Sequence, residues 1–283
     1  MRDKLKMPNY NPIKTFDDFS KNDSLLIKLR HYVRNVTIRI LSLQPKKISF
    51  SSSIYFPYYH HIFDDERSGF ERHLKFFANS GDVICIDDAV ALMESSQKIK
   101  GKYFCITFDD GFKNWIQNAV PILNTFGMNA AFFIATNYIG LDIEKDQKFL
   151  LNFYEKGDKL VEFLSWDDCV EIDKAGMTIG SHTASHANLM LLSDQDVTNE
   201  LAESKKIIEK FVKKPCIHFC CPFGRANIDY EPNLHPEIAK KLGYRSFLTG
   251  HRGANSDAAS PFHISRDHLL ANWNDYQLRY FFS

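Results

Sequence analysis

The chain has no charge excess: its 283 residues hold 35 Lys+Arg against 35 Asp+Glu. Nucleic-acid-binding proteins usually show a basic surplus, so that class is disfavoured. No C-x-x-C pair occurs among the six cysteines (Cys85, Cys105, Cys169, Cys216, Cys220 and Cys221), which argues against a structural zinc knuckle. Cys85 and Cys105 fall in apolar runs, and the neighbours Cys220 and Cys221 cannot easily bridge one another. The expectation is therefore reduced, mostly buried thiols in a reducing compartment. The opening Met-Arg-Asp-Lys-Leu-Lys turns polar without an apolar core of signal-peptide length, and no run reaches the length of a membrane span. A cytoplasmic location is expected. Internal repeats and low-complexity tracts are also missing. What is abundant is apolar surface, with 44% hydrophobic residues and 24 Phe. That suits one large α/β domain or two small ones and excludes disorder.

Residues 1–23 are polar and rich in Asn, Asp and Lys, and read as an irregular lead. From Ser24 a helical period begins: Leu25, Leu26, Leu29, Tyr32, Val33, Val36, Ile40 and Leu43 fall near one face, and Lys28, Arg30, Arg34 and Arg39 fill much of the remainder. An apolar stripe this wide is expected to pack across the main domain. The alternative is a basic amphipathic helix lying on a membrane surface. We place this lead and helix at 1–49 and the main domain at 50–283.

The domain alternates strands with helices. Strands are expected at 53–56, 83–86, 103–108, 131–135, 177–179, 217–221 and 246–248. Helices are expected at 70–77, 88–93, 115–126 with Gly127 just past the end, 194–212 and 236–242. A charged, partly helical insertion covers 140–164. Such alternation implies parallel pairing, and about seven units favour a barrel over an open sheet. Chemistry in such barrels gathers at the carboxyl ends of strands. Asp109, His182 and Pro222 each follow a predicted strand and should converge on one rim.

Two motifs stand at those ends. Thr107-Phe108-Asp109-Asp110-Gly111 follows an apolar run, and Gly180-Ser181-His182-Thr183-Ala184-Ser185-His186 lies further along. One carboxylate and two imidazoles can hold a divalent metal with positions left open for water and substrate, and the second carboxylate is then free to act as a base. Either motif alone would be weak, since Asp-Asp-Gly is a common turn and H-x-x-x-H is often two surface histidines.

Together they resemble the polysaccharide deacetylases (carbohydrate esterase family 4, NodB-like domain), which carry TFDDG and H-[ST]-x-x-H motifs in this order. Tyr59-His60, Ser165-Trp166-Asp167-Asp168, Cys221-Pro222-Phe223-Gly224 and Ser265-Arg266 extend the resemblance over roughly residues 50 to 270. It implies a distorted, incomplete (β/α)7-type barrel. It also implies Asp109 as general base, and Asp110, His182 and His186 as ligands of one divalent ion. Zn2+ is the expected ion, with Ni2+, Co2+, Mn2+ or Fe2+ as alternatives. Water bound to the metal would attack the amide, its proton passing to Asp109.

The family's third motif usually has an arginine before its proline and a tyrosine after it. Here Cys221 and Phe223 replace them, as in a branch with a Y-P-[FY]-G form. The Phe223 N–H, beside Pro222, can still donate to the oxyanion. The arginine that orients the base must come from elsewhere: Arg266 is the candidate and Arg225 the runner-up. The general acid is left open among His60, His263 and His268. Trp166 and Phe112 are candidate walls for a sugar ring.

The expected function is removal of an N-acyl group, acetyl or formyl, from an amino sugar of a surface polysaccharide or of its nucleotide- or lipid-linked precursor. A non-catalytic carbohydrate-binding relative on the same barrel is the alternative. A non-haem iron oxygenase would share the ligand set, but it belongs on a double-stranded sheet sandwich, which the βα alternation contradicts.

Overall fold

Breaks within apolar runs decide how the strands are shared between two sheets. The computed structural model describes residues 11–22, 24–42, 52–95, 98–257 and 259–282. Its strands are β1 (Ser53–Tyr55), β2 (Pro57–Tyr59), β3 (Asp82–Val83), β4 (Lys102–Phe104), β5 (Ile106–Asp110), β6 (Ala130–Ile134), β7 (Thr178–Ser181), β8 (His218–Cys220), β9 (Ser246–Leu248) and β10 (Asp267–His268). Phe56 and Cys105 each interrupt an apolar run. β1 and β4 then pair in a small parallel sheet, ordered β1-β4-β3, while β2 and β5 enter the main one. The single strand expected at 103–108 is thus two.

The main sheet runs β10-β2-β5-β6-β7-β8-β9, and all its pairings are parallel. Its two edge strands are drawn together by one chain segment: Ile264 bridges Leu248 of β9, and three residues later Asp267 pairs with Pro57 of β2. This is the distorted half-barrel expected from the sequence, and it removes the sheet sandwich that an oxygenase reading needs.

The helices are α1 (Phe16–Ser20), α2 (Leu25–Leu41), α3 (Arg67–Ser80), α4 (Ile86–Glu94), α5 (Val120–Thr125), α6 (Gln147–Leu151), α7 (Trp166–Lys174), α8 (Asp194–Val212), α9 (His235–Lys241) and α10 (Asp275–Phe282). The 83–86 strand expectation is half right. β3 ends at Val83, and Cys85 caps α4 by accepting from the Asp88 N–H, with Asp87 and Asp88 favourably placed at the helix's positive end. The helix expected at 115–126 opens with a π turn over Trp115–Ala119, and Gly127 follows its end at φ +61°.

Alternate residues of each strand separate into two cores. Ala131 and Phe133 of β6 point into the barrel with Cys220, Leu248 and Ile264, while Phe132 and Ile134 join the layer beneath the helices. In that layer Phe108 and Phe132 stack at 4.6 Å and 10°, with Trp115 fully buried against them. Each such side chain contributes about 2–3 kcal/mol by burial. Gly180 of β7 is needed for this packing, because a Cβ there would meet the Phe133 ring at 2.5 Å.

The N-terminal segments depart from expectation. Residues 16–20 of the supposed irregular lead are helical, with Thr15 capping the Asp18 N–H and Asp65 accepting from the N–H groups of Phe16 and Asp17. α2 meets α10, but not through its apolar stripe. The body-facing side is Arg34 over the Trp273 ring at 5.7 Å, Asn35 bonded to Gln277, and buried Ile38. Leu25, Leu26, Leu29, Tyr32, Val33, Val36 and Ile40 are exposed, so the stripe is turned away from the domain it was expected to pack on. Leu43 lies outside the described residues. α10 itself had no counterpart in the sequence reading.

Candidate metal centre and active site

β5 ends in two buried carboxylates with different partners. Adjacent strand residues point to opposite sides, and Asp109 turns to the closing segment of the barrel while Asp110 turns to the end of β7. Register keeps these ends level, since Asp110 pairs with Ile134 and Ile134 with Ser181. Asp110 (φ +95°) and Gly111 (φ +110°) reverse the chain there. At this backbone angle any L side chain is strained, and a Cβ at Gly111 would also lie 2.7 Å from Ile139 Cδ1, so glycine suits the turn. The turn is then tied down by the Leu164 N–H to Gly111 O and the Lys113 N–H to Glu162 O bonds.

Asp110 faces both histidines of the second motif. Its Oδ1 lies 3.4 Å from His182 Nε2 and 3.2 Å from His186 Nε2. Yet this buried oxygen has no hydrogen-bond partner. Ligand bonds of about 2.0–2.2 Å at tetrahedral angles place donor atoms roughly 3.4 Å apart, so the spacing suits a shared cation better than a hydrogen bond. His182 Nδ1 donates to Cys220 O at 2.8 Å, which fixes its tautomer and leaves Nε2 to the site. The loop between the histidines is strained, with Thr183 at φ +65° and His186 at φ +59°. Glu200 of α8 holds it, accepting from the N–H groups of Ala184 and Ser185 and from the Ser185 hydroxyl at 2.7–2.9 Å. Burial pushes the Asp110 carboxyl up, but the charge of His60 and the contacts from His182 and His186 outweigh it and hold it well below the usual range.

Asp109, His182 and Cys220 also lie close together, but this second cluster is a poor cation site. Both Asp109 oxygens are engaged: Arg266 Nη1 and Nη2 donate to them at 2.8 and 2.7 Å. Burial first, and then the Asp109 charge, keep the Cys220 thiol protonated, and it lies 3.6 Å from Asp109 Oδ1 as a donor. Arg266 is 2% exposed and fixed on every side. Its Nε donates to Thr249 O and its Nη1 also reaches Thr107 Oγ1, while Tyr58 covers its face at 4.2 Å. Burial would raise the Asp109 pKa, but Arg266 wins and keeps the carboxylate ionised. The segment that supplies Arg266 leaves β9 at Ile264 and joins β2 at Asp267, so the arginine stands where the barrel edges meet. Arg225 is elsewhere: its exposed side chain pairs bidentately with Asp229.

A cavity of about 500 Å³ opens over these groups. His60 and His268 line it, with His60 Nδ1 3.0 Å from His268 Nε2. Burial and the charge of His60 pull His268 well below the ordinary histidine range, so His268 is the neutral ring of that pair. Trp115 Nε1 donates to His60 O and holds the residue in place. His263 is exposed and absent from the cavity wall.

Other expected residues are not brought to the cavity. Trp166 does not line it; its indole stacks on Phe211 at 4.3 Å and 10°, joining α7 to α8. Phe112 is fully buried behind His61, ring centroids 3.8 Å apart. Pro222 is buried after β8 and does not line the cavity, whereas Phe223, at φ +58° and half exposed, does and packs against His186 at 5.0 Å. The aromatic walls are instead Tyr58, Phe153, Tyr154 and, from the N-terminal lead, Phe16 and Phe19. No motif marks these positions.

Comparison with known proteins bears on the family and on the fold. Residues 96–247 match the polysaccharide deacetylase family. YxkH of Bacillus subtilis, whose name assigns it provisionally to the polysaccharide deacetylases, is 29% identical over 66% of this chain and 59% of its own. The poly-β-1,6-N-acetyl-D-glucosamine N-deacetylase of Staphylococcus aureus is 26% identical over 63% of this chain and 62% of its own. The chain thus spans about three fifths of the length of these curated relatives. Among solved structures, IcaB from Ammonifex degensii superposes with a TM-score of 0.68 at 17% identity, covering 82% of this chain and 98% of that one. The Streptococcus pyogenes deacetylase PplD does so with a TM-score of 0.64 at 20% identity, covering 83% and 100%. At these identities the superpositions speak for the fold.

Proposed function

Because the chain belongs to the polysaccharide deacetylase family, we propose that it hydrolyses the N-acetyl group of an amino-sugar unit in a surface polysaccharide. The observation that carries the reading is the unsatisfied Asp110 Oδ1 set between two imidazole nitrogens, beside a carboxylate clamped by arginine. Asp110, His182 and His186 would hold a divalent cation, for which zinc fits the one-carboxylate, two-histidine donor set. When bound, it would supply Lewis-acid polarisation of the acyl oxygen and acidify water in its coordination sphere.

The chain's own residues do the rest. Asp109, kept ionised by Arg266, accepts the proton of the attacking water at a carboxylate oxygen. Arg266 stops that carboxylate from rotating. The Phe223 N–H, in a left-handed turn at the cavity wall, would donate to the developing oxyanion. His60, whose Nδ1 is spent on His268, offers Nε2 to the leaving nitrogen as general acid, and His268 acts as its positioning residue. Tyr58, Tyr154 and Phe223 offer aromatic faces to the sugar.

The Staphylococcus relative's name supports a β-1,6-linked N-acetylglucosamine polymer as the first substrate to try. Acetate release should be measured from N-acetylglucosamine oligomers of that linkage, from other N-acetylated polysaccharides, and from nucleotide-linked N-acetyl sugars, before and after metal chelation. Chelator-sensitive release from a polymeric substrate is expected. Saccharide binding with no release at any divalent-metal loading would favour the non-catalytic reading instead.

A further inference from the structure

α2 is the one described element of its length whose apolar face meets no partner among the described residues. Leu25 and Leu26 are 83% and 78% exposed, Leu29, Tyr32, Val33 and Ile40 each 55% or more. At 100° per residue these positions share one side of the helix, opposite the Arg34, Asn35 and Ile38 side that meets α10. Seventeen residues make a stripe about 25 Å long. No helix among the described residues is long and apolar enough to cross a membrane, and α2 alternates its apolar residues with basic ones.

The charges carried by the α2 sequence itself are of one sign. Between Asp23 and Asp64 the sequence has no Asp or Glu, yet it carries Lys28, Arg30, Arg34, Arg39, Lys46 and Lys47. In a chain whose charges balance overall, this stretch is a concentrated cation. Arg30 and Arg39 are exposed and fall at opposite edges of the stripe. We propose that α2 docks the protein on an anionic lipid surface, with its leucine, valine and isoleucine side chains in the acyl boundary and Arg30 and Arg39 on the phosphates.

Both halves of the stripe's chemistry match such a surface: an apolar face for the acyl boundary and a cationic rim for negative headgroups. A second copy of this chain would satisfy only the apolar half. A two-fold interface sets the same residues against each other, so the acid-free basic rims would repel. Nucleic acid would satisfy the charges and leave the leucines in water. The body-facing ties to α10 hold the helix so that its apolar side stays outward, and the proposal is independent of the reaction proposed above.

The test is vesicle co-sedimentation of the full chain, with pure phosphatidylcholine vesicles compared with vesicles containing one quarter phosphatidylglycerol. Binding at least tenfold tighter to the anionic vesicles, weakened by salt, is expected. Leu29→Glu/Val36→Glu and Arg30→Glu/Arg39→Glu should each lower that binding at least tenfold. Their thermal melts should stay unchanged, because all four side chains are exposed. Equal binding by the Leu29→Glu/Val36→Glu variant and the parent would overturn the proposal. So would a dimer in sedimentation velocity that this variant dissociates, with no vesicle binding by the parent; that result would make a second copy the occupant.

Discussion

Arg266 grips both oxygens of Asp109 at 2.8 and 2.7 Å, from a position 157 residues further along the chain. The contact is fully buried, and Thr249 O and Thr107 Oγ1 fix the guanidinium that makes it. A lysine could keep the charge but not the two-point contact. Arg266→Lys should therefore fold and retain its metal content while losing about tenfold or more in kcat. Burial alone pushes Asp109 up, so weakening the clamp should move the acid limb of the pH–rate profile to higher pH. An unchanged rate and profile would refute Arg266 as the positioning residue.

Asp109→Asn separates chemistry from metal binding. The amide preserves size and can still accept one Arg266 hydrogen bond, but it cannot take a proton. Turnover should fall about a hundredfold or more, the scale of a lost general base, with metal content by elemental analysis near the parent's. Loss of the metal would instead mean that Asp109 and Asp110 have exchanged roles.

The metal ligands should differ from their support in the size of effect. His182→Ala should abolish stoichiometric binding. Glu200→Ala touches no ligand, yet it frees the Ala184–Ser185 turn between them, and loss of such outer support typically costs 10–100-fold in affinity. Titration with zinc and a competing chelator should rank parent, Glu200→Ala and His182→Ala in that order. Parental affinity in the glutamate variant would show that the strained loop holds itself.

Asp109, Asp110, His182, His186 and Arg266 could be nominated from sequence because strand-end motifs and residue chemistry are local properties, and the structure brings all five together. The parallel sheet was legible for a related reason: βα alternation fixes parallel pairing wherever it recurs, whereas its incomplete closure was implied by the family resemblance alone. Glu200 was not legible, being a surface-type residue inside an ordinary amphipathic helix whose role exists only once α8 packs against the β7 loop. Trp166 misled, since nothing in its neighbours reveals that Phe211 would cover it. The α2 stripe misled more deeply. A hydrophobic period predicts which residues share a face, but not whether the domain will be on that side. α10 was too short and too close to the chain end for its period to stand out.

Two buried groups with opposite titration behaviour should shape the acid stability of the fold. Burial raises Glu66 from 4.5 to about 7, against an opposing bond from the Phe63 N–H. The native state thus keeps a proton that the unfolded chain releases, and this group's contribution falls as pH rises between 4.5 and 7. Burial lowers His73 from 6.5 to about 4, its ring held between Tyr59 OH and Trp273 O at 2.9 and 2.8 Å. Here the unfolded chain binds the extra proton, so the contribution grows as pH rises from 4 to 6.5. His61, held near 3 by burial, adds a second contribution of the same sign. Glu66 and His73 are each on the order of 3 kcal/mol at full extent, and His61 about 5 kcal/mol. The parent should therefore lose stability on acidification below 6.5, with Glu66 offsetting part of the loss. Glu66→Gln should steepen the dependence of the urea midpoint on pH between 4.5 and 6.5, and His73→Gln should flatten it. Groups common to parent and variant cancel in the comparison. If the two variants change the slope in the same direction, or leave it parallel to the parent's, burial of these side chains is not what sets the acid response.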